Sequence, residues 1–493
     1  MSPEDMARRH EEMLGYELVD YAEVALPIWQ LSLEAISIAH RRFSPIQEYV
    51  LRAVGAGLAS DELSGFLGLE TNIIEATLTQ LVSDRLARVN LNESEADPFK
   101  EYVLTDEGAH ALRDEGIAVP VEDQFQVFFD GIHRLPTGVS QEQIALPRDT
   151  DSGLLVELPA IPPNKPTVTD LKVTDVQRVL VQQSGGRAEF GKDLISLKRI
   201  SRYRRLFRRG IGLVFKGTQN RGDLRLKIII GGVRAEDIER QFADQGGLSR
   251  PGFMKAFSDA YLNANLRKHL GPDMAAALLD GSESRARQRA YSIAKLKLSS
   301  IERKVLMVTE GELPREEAPS NEQIQKAKAD LKEAKDALSQ PSVRSAAVYE
   351  QSEFLRTAFF TAKRSLSISS LGLSDLSVNP KFLAKLEDLL KQGLLVSIFV
   401  DRDVYERDRI HSEFGRPYIA MQRLADKFDV LKLNVHSENR YFHLAVDDQL
   451  MLVSNRPFLS NSGRIRTFEQ YSGYFVQEIG LTRAYLDRVR PVK

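Results

Sequence analysis

The sequence predicts a multidomain chain of the α/β class, and three observations support that prediction. Its 493 residues suffice for about three domains of roughly 150 residues each. Hydrophobic residues make up 42% of them, which is enough for several buried cores. After residue 345, strand-like and helix-like segments alternate, which is typical of a sheet covered by helices on both faces.

The composition also excludes several classes of protein. The chain has no cysteine, which rules out disulfides, thiol catalysis and cysteine-ligated zinc. No apolar run reaches the ~18 residues of a membrane span, and Met1–Glu12 is charged and lacks an apolar signal core. The histidines are scattered, without metal-ligand spacing. We therefore expect a cytoplasmic protein with no cofactor, no metal and no membrane contact.

The net charge of −2 hides a strong asymmetry along the chain. Residues 1–165 carry a net charge of −17, residues 166–310 carry +13 and residues 311–493 carry +2. A basic middle behind an acidic head bears on the binding partners of the protein rather than on its fold.

The first 134 residues are interpreted as a helical lead-in followed by a small domain. Residues 1–40 are predicted to be mostly helical, with Pro27 starting or breaking a helix. The later segments are helices at 45–54, 60–68 and 71–82, strand-like pieces at 87–91 and 101–104, and a helix that starts with the letters LTDEG. This order resembles the winged-helix superfamily, which implies a winged helix-turn-helix head whose third helix contacts DNA or protein.

The sequence leaves open whether the third helix contacts DNA or protein. Its exposed side offers Glu70, Asn72, Glu75, Thr79 and Asp84, with arginines only at its end. Phosphate contact requires cations, because the release of counterions drives binding. The acidic side chains therefore favour protein contact over DNA contact.

The middle of the chain is predicted to be a linker, a basic α+β domain and a connecting helix. Residues 135–168, rich in Pro, Asp and Ser, are interpreted as a linker or long loop. The basic domain, 169–310, is predicted to have strands at 212–216, 224–233 and 301–309 and helices at 253–270, 274–279 and 285–298. In the connecting stretch 311–344, residues 321–339 have a helical composition and an apolar stripe at helical spacing.

Residues 345–493 form the last predicted domain. Its strands are predicted at 366–371, 394–400, 430–436, 441–446, 449–454 and 471–477, and its helices at 381–392, 418–428 and from 481 onward. The segment FLRTAFFTAKRSLSISSL is followed by FLAKLEDLLKQGLLVSIFVD and later by NRYFHLAVDDQLMLVSNRPFLSNSG. Together these segments resemble a single repeat of the phospholipase D superfamily.

Members of that superfamily include nucleases and phospholipid hydrolases, and the resemblance implies their chemistry. In the motif His-x-Lys-x4-Asp, one histidine attacks phosphorus and a second protonates the leaving oxygen. The lysines hold the phosphate charge, and a Ser/Asn loop supplies hydrogen bonds to its oxygens. Two repeats build one site, so a single repeat implies a homodimer through the C-terminal domain.

This chain departs from the motif at two of its three positions. Aligning on Asp447 and on the Ser454-Asn455 loop places Arg440 at the histidine and Phe442 at the lysine. Arginine stays protonated and cannot act as a nucleophile, and phenylalanine cannot neutralise phosphate. We therefore expect no catalysis from this domain.

An alternative hypothesis keeps an enzyme, a phosphodiesterase or nuclease that uses a displaced site. Its residues would be His443, Asp447 and Glu469, or His436 in place of His443. His443 lies three positions after Arg440, and an odd shift along a strand turns a side chain to the opposite face. This geometry favours a packing role for His443.

What remains of the motif predicts a phosphate-binding site. An arginine can hold phosphate through two hydrogen bonds at once. The candidate residues are Arg440, Ser454, Asn455, Arg456 and Arg464. The competing interpretation is that Asp447 only fixes a turn and that Arg440 is an ordinary surface residue.

The basic middle supplies a second candidate site. Between Arg187 and Lys227 the chain has 13 lysines and arginines against 3 acids. On a helix, residues 202, 205 and 209 would share one side, beside an apolar and aromatic body, which suits a phosphate backbone. The candidates are Lys198, Arg199, Arg202, Arg204, Arg205, Arg208, Arg209, Lys216, Arg221 and Arg225. A second cluster could extend this surface: Arg285, Arg287, Arg289, Lys295 and Lys297. The alternative is that the acidic residues 1–165 dock on this domain.

These observations predict a non-catalytic adaptor that binds the backbone of DNA or RNA and works with protein partners. We expect it in a multi-protein system of repair, restriction or phage defence, an expectation that rests on the association of such domains with those systems. Besides the displaced-site enzyme, a purely structural assembly subunit stays open.

Overall fold

The computed structural model describes residues 2–90, 101–114, 116–151, 155–160, 162–183, 193–218, 222–249, 254–255, 268–279, 281–410, 415–436, 441–460 and 467–489. Its helices are α1 (Pro3–His10), α2 (Pro45–Gly55), α3 (Ser60–Leu67), α4 (Thr71–Ser83), α5 (Asp106–Arg113), α6 (Pro147–Asp151), α7 (Val173–Gln183), α8 (Glu236–Asp244), α9 (Pro272–Ala276), α10 (Gly281–Thr309), α11 (Asn321–Ser339), α12 (Glu350–Thr361), α13 (Pro380–Lys391), α14 (Arg402–Ile410), α15 (Arg416–Lys427) and α16 (Ile479–Val489).

Its strands are β1 (Tyr16–Arg42), β2 (Ala87–Val89), β3 (Tyr102–Leu104), β4 (Gly116–Asp130), β5 (Pro136–Thr137), β6 (Ile144–Ala145), β7 (Val156–Glu157), β8 (Leu194–Gly217), β9 (Leu224–Ile230), β10 (Val233–Arg234), β11 (Met254–Lys255), β12 (Val343–Ser345), β13 (Ser365–Ser370), β14 (Leu395–Asp401), β15 (Leu431–His436), β16 (Phe442–Val446), β17 (Leu450–Ser454), β18 (Phe468–Glu469) and β19 (Gly473–Val476). The fold is therefore a mixed α/β one.

The chain forms two compact units. The first unit comprises Met1–Pro27, Gln141–Ile161 and Phe207–Lys493, and the second comprises Ile28–Ser140 and Pro162–Leu206. The long strands β1 and β8 therefore each contribute one part to each unit. The domain boundaries drawn from the sequence remain a prediction.

The sheet of the second unit has the strand order β8–β1–β4–β5. Along β1, Trp29, Leu31 and Leu33 are buried in a core that includes Val176 and Val179 of α7. The intervening side chains lie on the opposite face, where Gln30 hydrogen-bonds a glutamine of β4 at 3.1 Å. One face of this sheet is thus covered by a helix, and the other carries polar side chains.

The helical prediction for residues 1–40 is correct only for α1. The rest of that stretch forms β1, which pairs with β4 in antiparallel register from Ile28 opposite Asp130 to Arg42 opposite Gly116. Inward and outward side chains alternate with the two-residue period of a strand. The proline at position 27 lies inside the strand and breaks nothing.

A small helical domain, here called the head (residues 44–113), stands between β1 and β4. Helices α2, α3 and α4, the β2–β3 hairpin and helix α5 follow in the order that the sequence predicts. Gly108 of the LTDEG segment is required by packing, because an added Cβ would lie 2.1 Å from the carbonyl oxygen of Leu86. The N–H of Gly108 also bonds the Thr105 hydroxyl at 3.0 Å, which caps α5.

The basic segment is a strand and not a helix, so the helical side that residues 202, 205 and 209 would share does not exist. Residues 194–217 form β8, which lies beside β1 and pairs with β9 from Ile211 opposite Ile229 to Lys216 opposite Leu224. The apolar residues at positions 194, 197 and 200 contact the same core and are three apart, a spacing that imitates a helix.

Two further predictions in the middle of the chain need correction. Residues 301–309, predicted to be a strand, are the end of helix α10. The predicted linker at 135–168 contains helix α6 and the short strands β5, β6 and β7, which pair with β4, β8 and β1. The strand predicted at 224–233 is divided by a turn, since Gly231 and Gly232 both have positive φ between β9 and β10. Most of the helix predicted at 253–270 lies outside the described residues.

The C-terminal part of the first unit contains a seven-stranded sheet with the order β12–β19–β17–β16–β13–β14–β15. Helices α12, α13 and α15 supply the core on one face, and α9 and α16 supply it on the other. The predicted α/β alternation is confirmed here, although β12, α14 and β18 were not anticipated. The predicted connecting helix at 321–339 is also confirmed as α11, with a capping box at Ser320.

Candidate functional site

Asp447 fixes the turn between β16 and β17. Its backbone has a φ of 55° and that of Asp448 a φ of 56°, so both residues are left-handed. The Asp447 carboxylate accepts hydrogen bonds from the backbone N–H groups of Lys363, Arg364 and Ser365 at 2.7–3.1 Å. Burial tends to raise the pKa of this carboxyl, but the three N–H groups lower it more, and its pKa lies below the ordinary value. The geometry therefore gives Asp447 a structural task.

The position of the motif lysine offers no polar group. Phe442 is buried in the core on one face of the sheet, together with Leu444 and Val446 of the same strand. Arg440 and Arg464 lie outside the described residues.

His443 lies on the opposite face of β16 and is 3% exposed. Its Nε2 is 3.0 Å from the Ser367 hydroxyl, and its backbone N–H donates to the Ser369 hydroxyl at 2.7 Å. The rings of Phe399 and Tyr485 pack against the imidazole. This is the environment of a packed, hydrogen-bonded core histidine.

The remaining residues of the displaced-site hypothesis lie on other elements. Glu469 is buried in β18, which pairs with β11, and Asp447 is at its turn. His436 ends β15, where its ring packs on Phe399, and burial lowers its pKa. Within the described part of the chain, no group of three or more acidic or histidine side chains could hold a metal ion.

The described residues of the predicted phosphate site all have partners within the chain. The Ser454 hydroxyl donates to Gln351 at 2.8 Å, and the Asn455 amide donates to the carbonyl of residue 470 at 2.8 Å. The Arg456 guanidinium pairs with the carboxylate of Asp20, which is 3% exposed and also accepts the N–H of Glu469 at 2.8 Å. A carboxylate of β1 thus occupies the position that an anion would take at Arg456.

The cavity beside Arg456 is unsuited to phosphate. Its volume is about 260 Å³. Its charged lining residues are Glu4, Asp20, Glu23, Glu469 and Arg456. An excess of carboxylates over cations repels a phosphate, whose binding depends on positive charge.

In the second unit, two of the predicted basic residues are neutralised by acids of the same sheet. Arg199 donates to Glu34 at 2.6 Å, and Lys198 pairs with Glu122. The next five residues, 201–205, are all exposed. Among the described residues, the side chains of Arg202 and Arg204 form no ion pair or hydrogen bond, while Arg205 does interact with a neighbour. We call residues 201–205 the arginine segment.

The basic residues of the first unit are largely engaged. Arg209 pairs with Asp149 at 2.9 Å, Arg208 donates to a glutamine at 3.0 Å and Lys216 to another at 3.1 Å. Arg225 lies over the ring of Tyr16, and Arg221 is outside the described residues. The second cluster is paired throughout: Arg285 with Glu17, Arg287 with Glu283, Arg289 with Glu12, Lys295 with Glu353 and Lys297 with Asp330. Acids near the N-terminus therefore neutralise part of this cluster, as the docking alternative requires.

The head has a groove that sequence reasoning missed. Its volume is about 930 Å³, and it lies between the starts of α2 and α4. Ile46 and Ile73 are partly exposed in it, and Arg41 and Arg42 line it as well. The only sequence signal was the pair of isoleucines that the first turns of the two helices leave uncovered. Phe66 of α3, elsewhere on the head, is also exposed.

Comparisons with known proteins assign no family. No family model and no curated protein matches the chain. One similar solved structure is TrmBL2, described as an archaeal chromatin protein with a novel mode of DNA binding: 12% identity over 33% of this chain and 58% of that one, TM-score 0.22. Another is phosphatidylserine synthase of Haemophilus influenzae Rd KW20, with 16% identity over 34% and 44% of the two chains and a TM-score of 0.21. NucT from Helicobacter pylori has 14% identity over 30% of this chain and 92% of its own, with a TM-score of 0.21.

The chain thus spans 58% and 44% of the lengths of the first two structures, and TM-scores near this level support no argument about function. The function of this chain must therefore be inferred from its own residues. None of the described helices is both long and apolar enough to cross a membrane.

Proposed function

We propose that this chain is a non-catalytic adaptor that binds the phosphate backbone of nucleic acid through the arginine segment. The observation that supports this most is the exposure of Arg202 and Arg204 without an acidic partner among the described residues. Counterion release needs cations that are free to meet phosphate, and the neighbours Lys198 and Arg199 are already neutralised. The proposal therefore narrows the ten predicted basic residues to a short stretch of one strand.

The non-catalytic part of the proposal is supported by the remnant of the phospholipase D-like motif. Phe442 is in the core, Asp447 holds a turn and Arg456 is paired with Asp20. The adaptor role includes a winged-helix head that contacts protein through its groove, and the uncovered isoleucines there support protein over DNA. A homodimer through residues 345–493 and a place in repair, restriction or phage defence belong to the proposal on the resemblance alone. A cytoplasmic location belongs to it on composition, since the sequence has no cysteine.

Reversing the charge of Arg202 and Arg204 together is expected to weaken nucleic-acid binding by at least about tenfold at ~100 mM salt, because two phosphate contacts are lost. Fluorescence anisotropy with a labelled oligonucleotide measures this, and a salt series should give a shallower slope for the double glutamate variant. The matched control is Lys326→Glu with Lys328→Glu on the exposed side of α11, which makes the same change in net charge. Equal weakening in both double variants, or no binding by the wild type, would refute the proposed site.

The rival hypothesis, an enzyme with a displaced site, makes the opposite prediction for His443→Ala. We expect this variant to lose about 2 kcal/mol of stability, since it removes a buried ring and leaves the Ser367 hydroxyl without its partner. We expect neither the wild type nor the variant to cleave plasmid DNA or single strands, with or without EDTA. Cleavage by the wild type that His443→Ala abolishes would establish the enzyme instead.

A further inference from the structure

Among the described strands, none pairs with the outer edge of β8 along the arginine segment. One edge of β8 faces β1, and the described strands that pair with the other edge do so only from residue 207 onward. Because successive side chains of a strand point to opposite faces, Arg202 and Arg204 are on one face and Tyr203 and Arg205 on the other. Arg202 and Arg204 therefore lie on one face of this edge, and the ring of Tyr203 lies on the other.

This arrangement discriminates between two shapes of nucleic acid. A duplex is stiff, with a persistence length of about 150 base pairs, so it lies against one surface and meets the cations of one face. A single strand is flexible and can follow the edge, so its phosphates can reach the arginines of one face while a base reaches the aromatic ring on the other. The outer edge also leaves backbone N–H and C=O groups available to polar atoms of bases.

Tyr203 adds an aromatic surface at the same place. The residue is 37% exposed, and the ammonium group of Lys165 lies 5.6 Å from the centre of its ring. An exposed aromatic ring among cations is the arrangement on which single-stranded bases stack, since every base has a π-face. In duplex DNA the bases are already stacked on each other and cannot use this ring.

We infer that single-stranded nucleic acid is the preferred ligand of the arginine segment, with a base stacked on Tyr203 and adjacent phosphates held by Arg202 and Arg204. The inference rests on the proposed function, for which it names the class of ligand. It assigns Tyr203 a contact with the base and the arginines a contact with the backbone.

The test compares two labelled probes on the full chain by anisotropy: an oligothymidine of about 16 nucleotides and a duplex of the same length. The wild type should bind the oligothymidine more tightly. Tyr203→Leu, which keeps an apolar side chain and removes the ring, should weaken oligothymidine binding by about fivefold or more and leave duplex binding unchanged. Tyr203→Phe should bind as the wild type does, because the stacking surface is kept.

The outcomes separate this inference from the proposed function. The inference is overturned if the wild type binds the duplex as tightly as the oligothymidine, or if Tyr203→Leu leaves the oligothymidine affinity unchanged. In either case the proposed function stands if Arg202→Glu with Arg204→Glu weakens binding. No binding of either probe by the wild type overturns both. For each folded variant, the ratio of its affinities for the two probes is decisive. A misfolded variant loses affinity for both probes together. If Tyr203→Leu misfolds, the preference of the wild type for one probe decides the inference.

Discussion

Replacing Arg344 by methionine is expected to lower the free energy of unfolding of the first unit by about 3–5 kcal/mol, because it leaves a buried carboxylate without its counter-charge. Arg344 donates two parallel hydrogen bonds to Glu350, at 3.0 and 2.9 Å, and their side chains are 6% and 9% exposed. Glu350 also accepts the backbone N–H of Ala347 at 2.7 Å, so it holds the start of α12 against β12. Thermal unfolding followed by calorimetry measures the loss.

The matched control replaces both partners. Arg344→Met with Glu350→Leu removes the two charges together, and such replacements of buried pairs by apolar residues are often neutral or stabilising. We therefore expect the double variant to be more stable than Arg344→Met alone. If the two substitutions instead add independently, the pair is not coupled as its geometry indicates.

Asp447→Ala is expected to lower the free energy of unfolding by about 2–3 kcal/mol at neutral pH. The substitution removes the acceptor of three backbone N–H groups and places alanine in a left-handed conformation, which costs ~1 kcal/mol by itself. Water replaces part of the loss, because Lys363 and Arg364 are at the surface. Asp447→Asn is the milder variant, since asparagine tolerates the left-handed backbone and removes only the charge.

The pH dependence of these variants follows from the lowered pKa of Asp447. A carboxyl whose pKa is lower in the folded state stabilises the fold above its ordinary pKa, near 4, and this stabilisation is lost as the pH falls through the lower value. The stability gap between wild type and Asp447→Asn should therefore close on acidification below about pH 4. Urea unfolding at a series of pH values measures it, and a gap that stays constant down to pH ~2 would show that the charge of Asp447 does not contribute.

The C-terminal sheet was predictable from sequence because its elements are short and their ends are marked. Gly393, with a φ of 84°, ends the turn after α13, and Asp447-Asp448 marks the turn after β16. The strands there are of ordinary length, and β14, β16 and β17 are largely apolar, which fits the usual preferences for a buried sheet. Local sequence alone therefore specifies most of this part.

The two long strands were mispredicted for different reasons. β1 has 27 residues and β8 has 24, several times the usual length of about 5–6 residues, so prior expectation favours helices in such long segments. β1 shows the alternation of Trp29, Leu31 and Leu33 only over its middle, and the apolar residues of β8 are three apart. In both strands, pairing with distant partners overrides the local pattern.

The candidate sites were predictable by residue type but not by partner. From the sequence, Arg456 and the basic stretch of β8 were identified as candidate phosphate-binding residues. The neutralising carboxylates of Asp20, Glu34 and Glu122 are far away in the chain, and a single sequence gives no signal that connects them. Tertiary contacts therefore decided which arginines are free.

The chain enters the head from β1 and leaves it into β4 at adjacent positions, since Arg42 at the end of β1 is opposite Gly116 at the start of β4. A segment whose two ends meet in this way can be excised and the gap closed with a tight turn, without shifting the pairing of the strands that carried it. It can equally be exchanged for another small fold whose termini are close together. Recognition by the head and the scaffold beneath it can thus diverge independently during evolution.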